Sequence, residues 1–164
     1  MKEALHLVAG QADWIVGQQA VGGYWWAPIE PDRVRLQCPN ETPMFLSATI
    51  EFTHQNDPRQ ERRGERKVAT RQYAFTISGP EPEMSIFEWH WHPQLSPTRP
   101  DPHVHVTAEG AIGPLAHLHL PSWRVWFEDV VLFAIEDLDV PCRDGGAIVL
   151  RENRDRARRW ATWR

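Results

Sequence analysis

The chain has 164 residues, of which 41% are hydrophobic and 24% are charged, and its formal net charge is −4. These values indicate one globular domain that is long enough to bury a core. The longest uninterrupted apolar run, residues 130–135, is too short to cross a bilayer, which excludes a helical membrane span at the level of sequence. The N-terminus lacks a signal-peptide pattern and the two cysteines are sparse, so we expect a cytoplasmic protein without a membrane partner.

The first half of the chain predicts one helix followed by three strands. Apolar residues recur at helical spacing over residues 3–20, which predicts an amphipathic N-terminal helix. A short strand is expected at 34–38, and alternation of apolar and polar residues predicts longer strands at 44–53 and 67–78. The polar and charged segment 54–66 is typical of an exposed hairpin loop, so the two longer strands should pair antiparallel.

The second half predicts three more strands and a helix. Alternating segments indicate strands at 84–92, 103–108 and 115–120. Apolar residues have helical spacing over 126–138, and two acidic residues stand in the first turn, where they favour the helix dipole. A last short strand is expected at 147–150.

This order of elements predicts an α+β fold. We expect a mostly antiparallel, curved sheet of five to six strands, with an N-terminal helix and two C-terminal helices on one face or end. Residues 1–150 would form a single α+β domain. Residues 151–164 hold six arginines and two acidic residues, and they predict a basic C-terminal helical tail.

Histidine is concentrated in one part of the chain. Six of the eight histidines lie between positions 90 and 119, and they form three His-x-His pairs. Because side chains on a strand alternate between its two faces, both imidazoles of a pair share one face of the predicted sheet. If the three strands are neighbours, the pairs line one surface. The pairs are His90/His92, His103/His105 and His117/His119.

A surface lined with histidine suits the cleavage of RNA. Imidazole titrates near neutrality, so a neutral ring and a protonated ring can act as general base and general acid on a phosphodiester through the 2′-hydroxyl. We predict this role for His90, His92, His103 and His105.

The basic tail would then bind the nucleic acid. Arg156, Arg158 and Arg159 would hold backbone phosphates, and Trp163 would stack on an unpaired base. The same tail could instead dock on the remainder of the chain, which is acidic.

The histidines also suit a divalent transition metal such as zinc, manganese, iron or nickel. The predicted ligands are His103, His105, His117, His119 and Glu109. The stretch from His103 to Glu109 has the pattern His-x-His-x3-Glu, which resembles the ligand core of the first cupin motif, although position 97 is proline where that family has glycine. The resemblance implies a cupin-like metal-binding protein.

Residues 73–138 resemble the TumE-like toxins of prokaryotic toxin–antitoxin modules. That family has a Tyr-bearing strand, a strand with Trp and His, a His-x-His segment and an acidic, apolar helix in this order. This chain has Glu-Trp-His where the family has an Arg-Trp-Asp-like run. The resemblance implies a toxin-type nuclease that acts on RNA. The matching segments are Tyr73-Ala74-Phe75, Phe87-Glu88-Trp89-His90, Pro102-His103-Val104-His105 and Phe127-Glu128-Asp129-Val130.

Our leading hypothesis is a small intracellular RNA nuclease, and a transition-metal-binding protein is the first alternative. A third hypothesis is a non-catalytic interaction module that binds a protein partner through its tryptophans and basic tail. In that case the histidines are polar residues of a solvated sheet face. The expected partners are RNA, an antitoxin-like protein or a second copy of the chain.

Overall fold

A computed structural model of the chain describes its sheet and the two C-terminal helices. The histidine pairs of positions 90–105 lie inside the described part. The described residues are 7–8, 13–14, 18–19, 25–30, 32–36, 43–57, 64, 66–81, 85–93, 101–107 and 118–160.

Within these ranges, nine strand segments form one antiparallel sheet. They are β1 (Asp13–Trp14), β2 (Gln18–Gln19), β3 (Trp25–Glu30), β4 (Val34–Arg35), β5 (Phe45–Asn56), β6 (Arg66–Ser78), β7 (Ser85–Trp91), β8 (His103–Val106) and β9 (Leu118–Pro121). The order across the sheet is β1-β3-β5-β6-β7-β8-β9, with β2 also paired to β3 and β4 also paired to β5. From β5 to β9, each strand pairs with the next one along the chain, which is a meander.

The two faces of the sheet differ because the strands alternate in composition. In β5, Leu46, Ala48 and Ile50 are buried, whereas the residues between them are partly exposed. In β7, Trp89 and Trp91 are buried and His90 between them is partly exposed. The apolar residues of neighbouring strands face each other across the register, so one face of the sheet is the core face and the other carries the histidines.

Two helices follow the sheet, α1 (Phe127–Glu136) and α2 (Gly146–Trp160). Helix α1 packs on the core face, where the ring of Phe127 lies 5.8 Å from that of Phe75 and the ring of Phe133 lies 5.4 Å from that of Trp89. Helix α2 packs against α1. The helices therefore cover the apolar face, which is opposite the face that carries the histidines.

The segment before α1 is tied to the sheet. The backbone N–H of Val125 donates to the hydroxyl of Tyr73 at 3.0 Å, and the guanidinium of Arg124 lies 3.7 Å from the centre of the Trp91 ring. These contacts fix the direction in which the chain enters α1.

The α+β prediction is confirmed. Six of the described strands, β3 and β5–β9, have four residues or more, as expected for a five- to six-stranded sheet. The hairpin between β5 and β6 is also present, but both strands extend into the predicted loop 54–66.

The predicted N-terminal helix is wrong in its second half, at residues 13–14 and 18–19. Residues 7–8 have helical backbone, whereas 13–14 and 18–19 are the strands β1 and β2. Glycines at positions 10 and 17 interrupt the helical pattern, and glycine is an unfavourable helix residue. Pairing with β3 then satisfies the backbone of these short segments.

Two other predictions of local structure differ from the fold. The predicted strand 147–150 is wrong, because these residues form the first turns of α2. The apolar run there is too short to distinguish a strand from a buried helical turn. Strand β3 was not predicted, since its sequence contains Pro28, and proline cannot donate to a strand ladder. In the described part of the chain, no helix has the length and apolar character that a membrane span requires.

Candidate active site

Strands β7 and β8 bring two of the three His-x-His pairs together. In the antiparallel register, His90 is the direct partner of His103 and Glu88 is the direct partner of His105. Direct partners share one face of a sheet, so both pairs lie on the face opposite the helices. We refer to His90, His92, His103 and His105 as the histidine cluster.

The four rings of the histidine cluster are in contact. The ring centre of His90 lies 5.1 Å from that of His105, 5.7 Å from that of His92 and 6.0 Å from that of His103. The ring centre of His103 lies 5.1 Å from that of His105 and 5.6 Å from that of His92. His90 and His103 are therefore the two central members, and their rings are nearly parallel, at 19°.

A backbone carbonyl determines the proton position on the neutral His103 ring. Nδ1 of His103 donates a hydrogen bond of 3.1 Å to the carbonyl oxygen of Asp101, because a carbonyl can only accept. The proton of the neutral ring is thus on Nδ1, and Nε2 carries the lone pair. The His103 side chain is buried.

A carboxylate faces His90. Oε2 of Glu88 lies 3.4 Å from Nε2 of His90, which is within ion-pair distance. Nε2 of His90 is buried and has no hydrogen-bond partner of good geometry. The two side chains keep 24% and 28% of their surface exposed, so solvent and small ligands reach the pair.

Burial changes the protonation of the cluster. It lowers the pKa of His90; the Glu88 carboxylate opposes this shift, and the charges of His92 and His103 add to it. Burial also lowers the pKa of His92, and the charge of His103 acts in the same direction. Both imidazoles are therefore mainly neutral at pH 7, and each offers a lone pair.

The residues predicted as metal ligands are only partly described. His103 and His105 belong to the histidine cluster, but His117 and Glu109 lie outside the described residues. His119 is in β9 as the register partner of His105, and its side chain is not among those described. Among the side chains that are described, no group of three or more histidine, cysteine, aspartate or glutamate residues is arranged to hold a metal ion.

The predicted RNA-binding arginines do not lie at the histidine cluster. Arg156, Arg158 and Arg159 are on α2, in the helical layer on the other side of the sheet, and Trp163 is outside the described residues. Arg158 donates to Oδ1 of Asp129 in α1 at 3.0 Å. The basic segment thus docks on acidic residues of the chain itself, the alternative that its charge also allowed.

Polar side chains extend the histidine face over β5 and β6. Thr76 is the register partner of both Ser47 and Glu88, so these three residues form one row across the sheet. In a parallel row, Gln72 donates from Nε2 to Oε2 of Glu51 at 2.9 Å. These side chains are partly exposed, so the accessible surface beside the cluster is polar and several strands wide.

The sequence pattern predicts which face of the sheet some site residues occupy, but it does not predict their contacts. Alternation in β7 places Glu88 on the face of His90, but it does not show that the two atoms meet. The carbonyl of Asp101 has no signal in sequence, because any residue carries one. The Glu51–Gln72 contact depends on the register of β5 against β6, which alternation alone does not determine.

Comparison with known proteins assigns no family. No protein-family model matches the chain, and the searches of curated proteins and of solved structures give no match. The resemblances to TumE-like toxins and to cupins therefore stay predictions.

Proposed function

We propose that the histidine cluster is a general acid–base site that cleaves RNA phosphodiesters through the adjacent 2′-hydroxyl group. One observation carries the proposal: four imidazoles from β7, the residue after it and β8 lie on the sheet face opposite the helices, with neighbouring ring centres 5.1–6.0 Å apart. A packed structural core gives no reason to collect four titratable rings there. In acid–base catalysis, such a group supplies both a proton acceptor and a proton donor near neutral pH.

His90 is the proposed base. Its lowered pKa keeps it neutral at pH 7. In the proposed tautomer the proton of the neutral ring is on Nε2, which lies 3.4 Å from Oε2 of Glu88, and Nδ1 accepts the proton of the 2′-hydroxyl. The Glu88 carboxylate then stabilises the imidazolium that forms.

His103 is the proposed acid. Its Nδ1–H is held by the Asp101 carbonyl, so the protonated ring carries its transferable proton on Nε2. The 2′-oxygen attacks phosphorus while the bond from phosphorus to the 5′-oxygen breaks. The 5′-oxygen takes the proton of His103. The products are a 2′,3′-cyclic phosphate and a 5′-hydroxyl, and the proton taken by His90 balances the one that His103 gives.

His92 and His105 complete the site. Each lies beside both central rings, where its ring N–H can donate a hydrogen bond to a non-bridging phosphate oxygen. In this proposal the positive charge of the site comes from imidazolium and not from the arginines of α2. RNA as substrate also implies an intracellular site of action, with an antitoxin-like partner as a further element of the proposal.

Cleavage of a short RNA by His90→Ala and His103→Ala tests the proposal. Loss of a general acid or base is expected to reduce the rate by about 10²- to 10⁴-fold. The matched control is His54→Ala, which removes an exposed histidine outside the cluster. The cyclic phosphate product is identified by mass.

The same assay separates the alternatives. A chelator is expected to leave cleavage unchanged, whereas the transition-metal hypothesis predicts its loss. If the wild-type protein cleaves no RNA, or if both cluster variants keep the wild-type rate with the fold intact, the proposal is wrong.

A further inference from the structure

A carboxylate–amide pair stands beside the histidine cluster on the same face of the sheet. Gln72 of β6 donates to the carboxylate of Glu51 on β5 at 2.9 Å, and the two residues are register partners. Gln72 comes directly before the pair Tyr73–Trp91, and His92 comes directly after it. The pair Glu51–Gln72 therefore lies in the same row across the sheet as His92, at the edge of the histidine cluster.

The separation between this pair and the cluster matches one nucleotide. Glu51 is two strands away from His90 on β7 and three strands away from His103 on β8, and neighbouring strands lie about 4.8 Å apart, so the distances across the sheet are about 10 Å and about 14 Å. A nucleotide reaches over a length comparable to the shorter of these distances from its phosphate to the far edge of its base. A substrate whose phosphate lies on the His90 side of the central rings can thus place its base at Glu51.

The chemistry of Glu51 selects among the bases. An ionised carboxylate only accepts hydrogen bonds, and its two oxygens have room for several donors in addition to Gln72. On the Watson–Crick edge, guanine has two adjacent donors, N1–H and the 2-amino group. Adenine and cytosine each place an acceptor nitrogen at the centre of that edge, and uracil has a single donor between two acceptors.

An aromatic residue continues the same row. Trp26 of β3 is the register partner of Glu51, so the row across the sheet is Trp26, Glu51 and Gln72. Proteins that bind unpaired bases combine aromatic residues with hydrogen bonds to the base edge. The backbone register therefore places a tryptophan position next to Glu51 in this row.

We propose that Glu51, oriented by Gln72, is the specificity-determining residue that binds the Watson–Crick edge of guanine in the nucleotide whose phosphate is cleaved. This inference rests on the proposed nuclease function and names its substrate class, RNA cleaved on the 3′ side of guanosine. A cross-strand polar pair with a purely structural role would affect stability and leave the base preference unchanged.

The test uses four oligonucleotides, each with one ribonucleotide (G, A, C or U) in an otherwise deoxy strand. The wild-type protein is expected to cleave the G substrate faster by about tenfold or more, as a bidentate base contact allows. Glu51→Gln should abolish this preference, and Gln72→Ala, which keeps the carboxylate, should reduce it less. Glu81→Gln is the control, because it removes an exposed carboxylate in a turn away from the cluster.

Equal cleavage of the four substrates, or a preference that survives in Glu51→Gln, overturns the inference. If Glu51→Gln does not fold, the base preference of the wild type and its reduction in Gln72→Ala test the role of Glu51 instead. If no substrate is cleaved, the proposed nuclease function has failed. The role of Glu51 is then tested separately by calorimetry, which compares the binding of guanosine 3′-monophosphate with that of cytidine 3′-monophosphate. Selective guanosine binding that Glu51→Gln abolishes upholds the role of Glu51, and equal binding or no binding overturns it.

Discussion

Four imidazoles on one sheet face have different surroundings, and these surroundings decide what each ring can do. His103 is held through Nδ1 by a backbone carbonyl, and His90 faces the carboxylate of Glu88. Burial lowers the pKa of His90 and of His92, so these rings hold a lone pair at neutral pH. Histidine at four neighbouring positions thus gives a group in which at least two rings are neutral and can accept a proton at pH 7, as a general base must.

The lowered pKa of His90 predicts that the protein loses stability in mild acid. An imidazole in the unfolded chain titrates near 6.5, so below that pH the unfolded state binds more protons than the folded state. The stabilising contribution is complete above about pH 6.5 and is lost as the pH falls towards the lower value of the folded state. Urea unfolding at pH 7 and pH 5 should show a smaller difference for His90→Gln than for the wild type. His54→Gln is the control at an exposed site. The prediction is contradicted if the change in stability between pH 7 and pH 5 is the same in His90→Gln, His54→Gln and the wild type.

Ion pairs as well as packing join α1 to α2. Asp129 caps the start of α1 and also forms ion pairs with α2. Oδ2 of Asp129 accepts from the backbone N–H of Trp126 at 3.0 Å, which caps the start of α1. Oδ1 of Asp129 lies 3.0 Å from Arg158 and 3.5 Å from Arg154, both on α2. The Asp129 side chain is 16% exposed, so solvent screens these pairs less than a surface pair.

Replacement of Asp129 should therefore destabilise α1 and its contact with α2 together. We expect Asp129→Ala to lower the free energy of unfolding by roughly 1–2 kcal/mol, from the lost cap and the weakened ion pairs. Denaturant unfolding measures the change, with Asp155→Ala on the exposed side of α2 as control. Equal stability of the two variants would show that the cap and ion pairs contribute little.

The two faces of the sheet differ in role: one packs against α1, and the other carries the histidine cluster. Phe75 and Trp89 pack against α1 on the core side, while Glu88 and His90 face solvent on the other side. The arginine-bearing helix α2 packs against α1, which lies on the face opposite the histidine cluster.

This arrangement predicts that the exposed arginines of α2 do not contribute to cleavage at the cluster. The double variant Arg156→Gln, Arg159→Gln should cleave a short RNA within about twofold of the wild-type rate, because an exposed charge this far away is screened by salt. The measurement is the single-turnover rate at about 0.15 M salt. A tenfold loss would place these arginines in the substrate path, as the sequence first suggested.

Local periodicity was enough to predict the main elements. Alternation in 44–53 and 67–78 predicted β5 and β6, and the helical spacing over 126–138 predicted α1. It was not enough where local signals conflict. Pro28 argues against a strand at the position of β3. The spacing over 3–20 predicts a helix where residues 13–14 and 18–19 are strands, and the apolar run 147–150 predicts a strand where α2 begins.

The sequence by itself determined that the histidines of each pair share a face, because side chains on a strand alternate with period two. It could not determine that His90 stands opposite His103, or that Gln72 reaches Glu51. Strand order and register decide both contacts, and a slip of one residue would move a whole histidine set to the other face. Only the packed sheet, with α1 on its apolar side, selects the register in which four imidazoles meet.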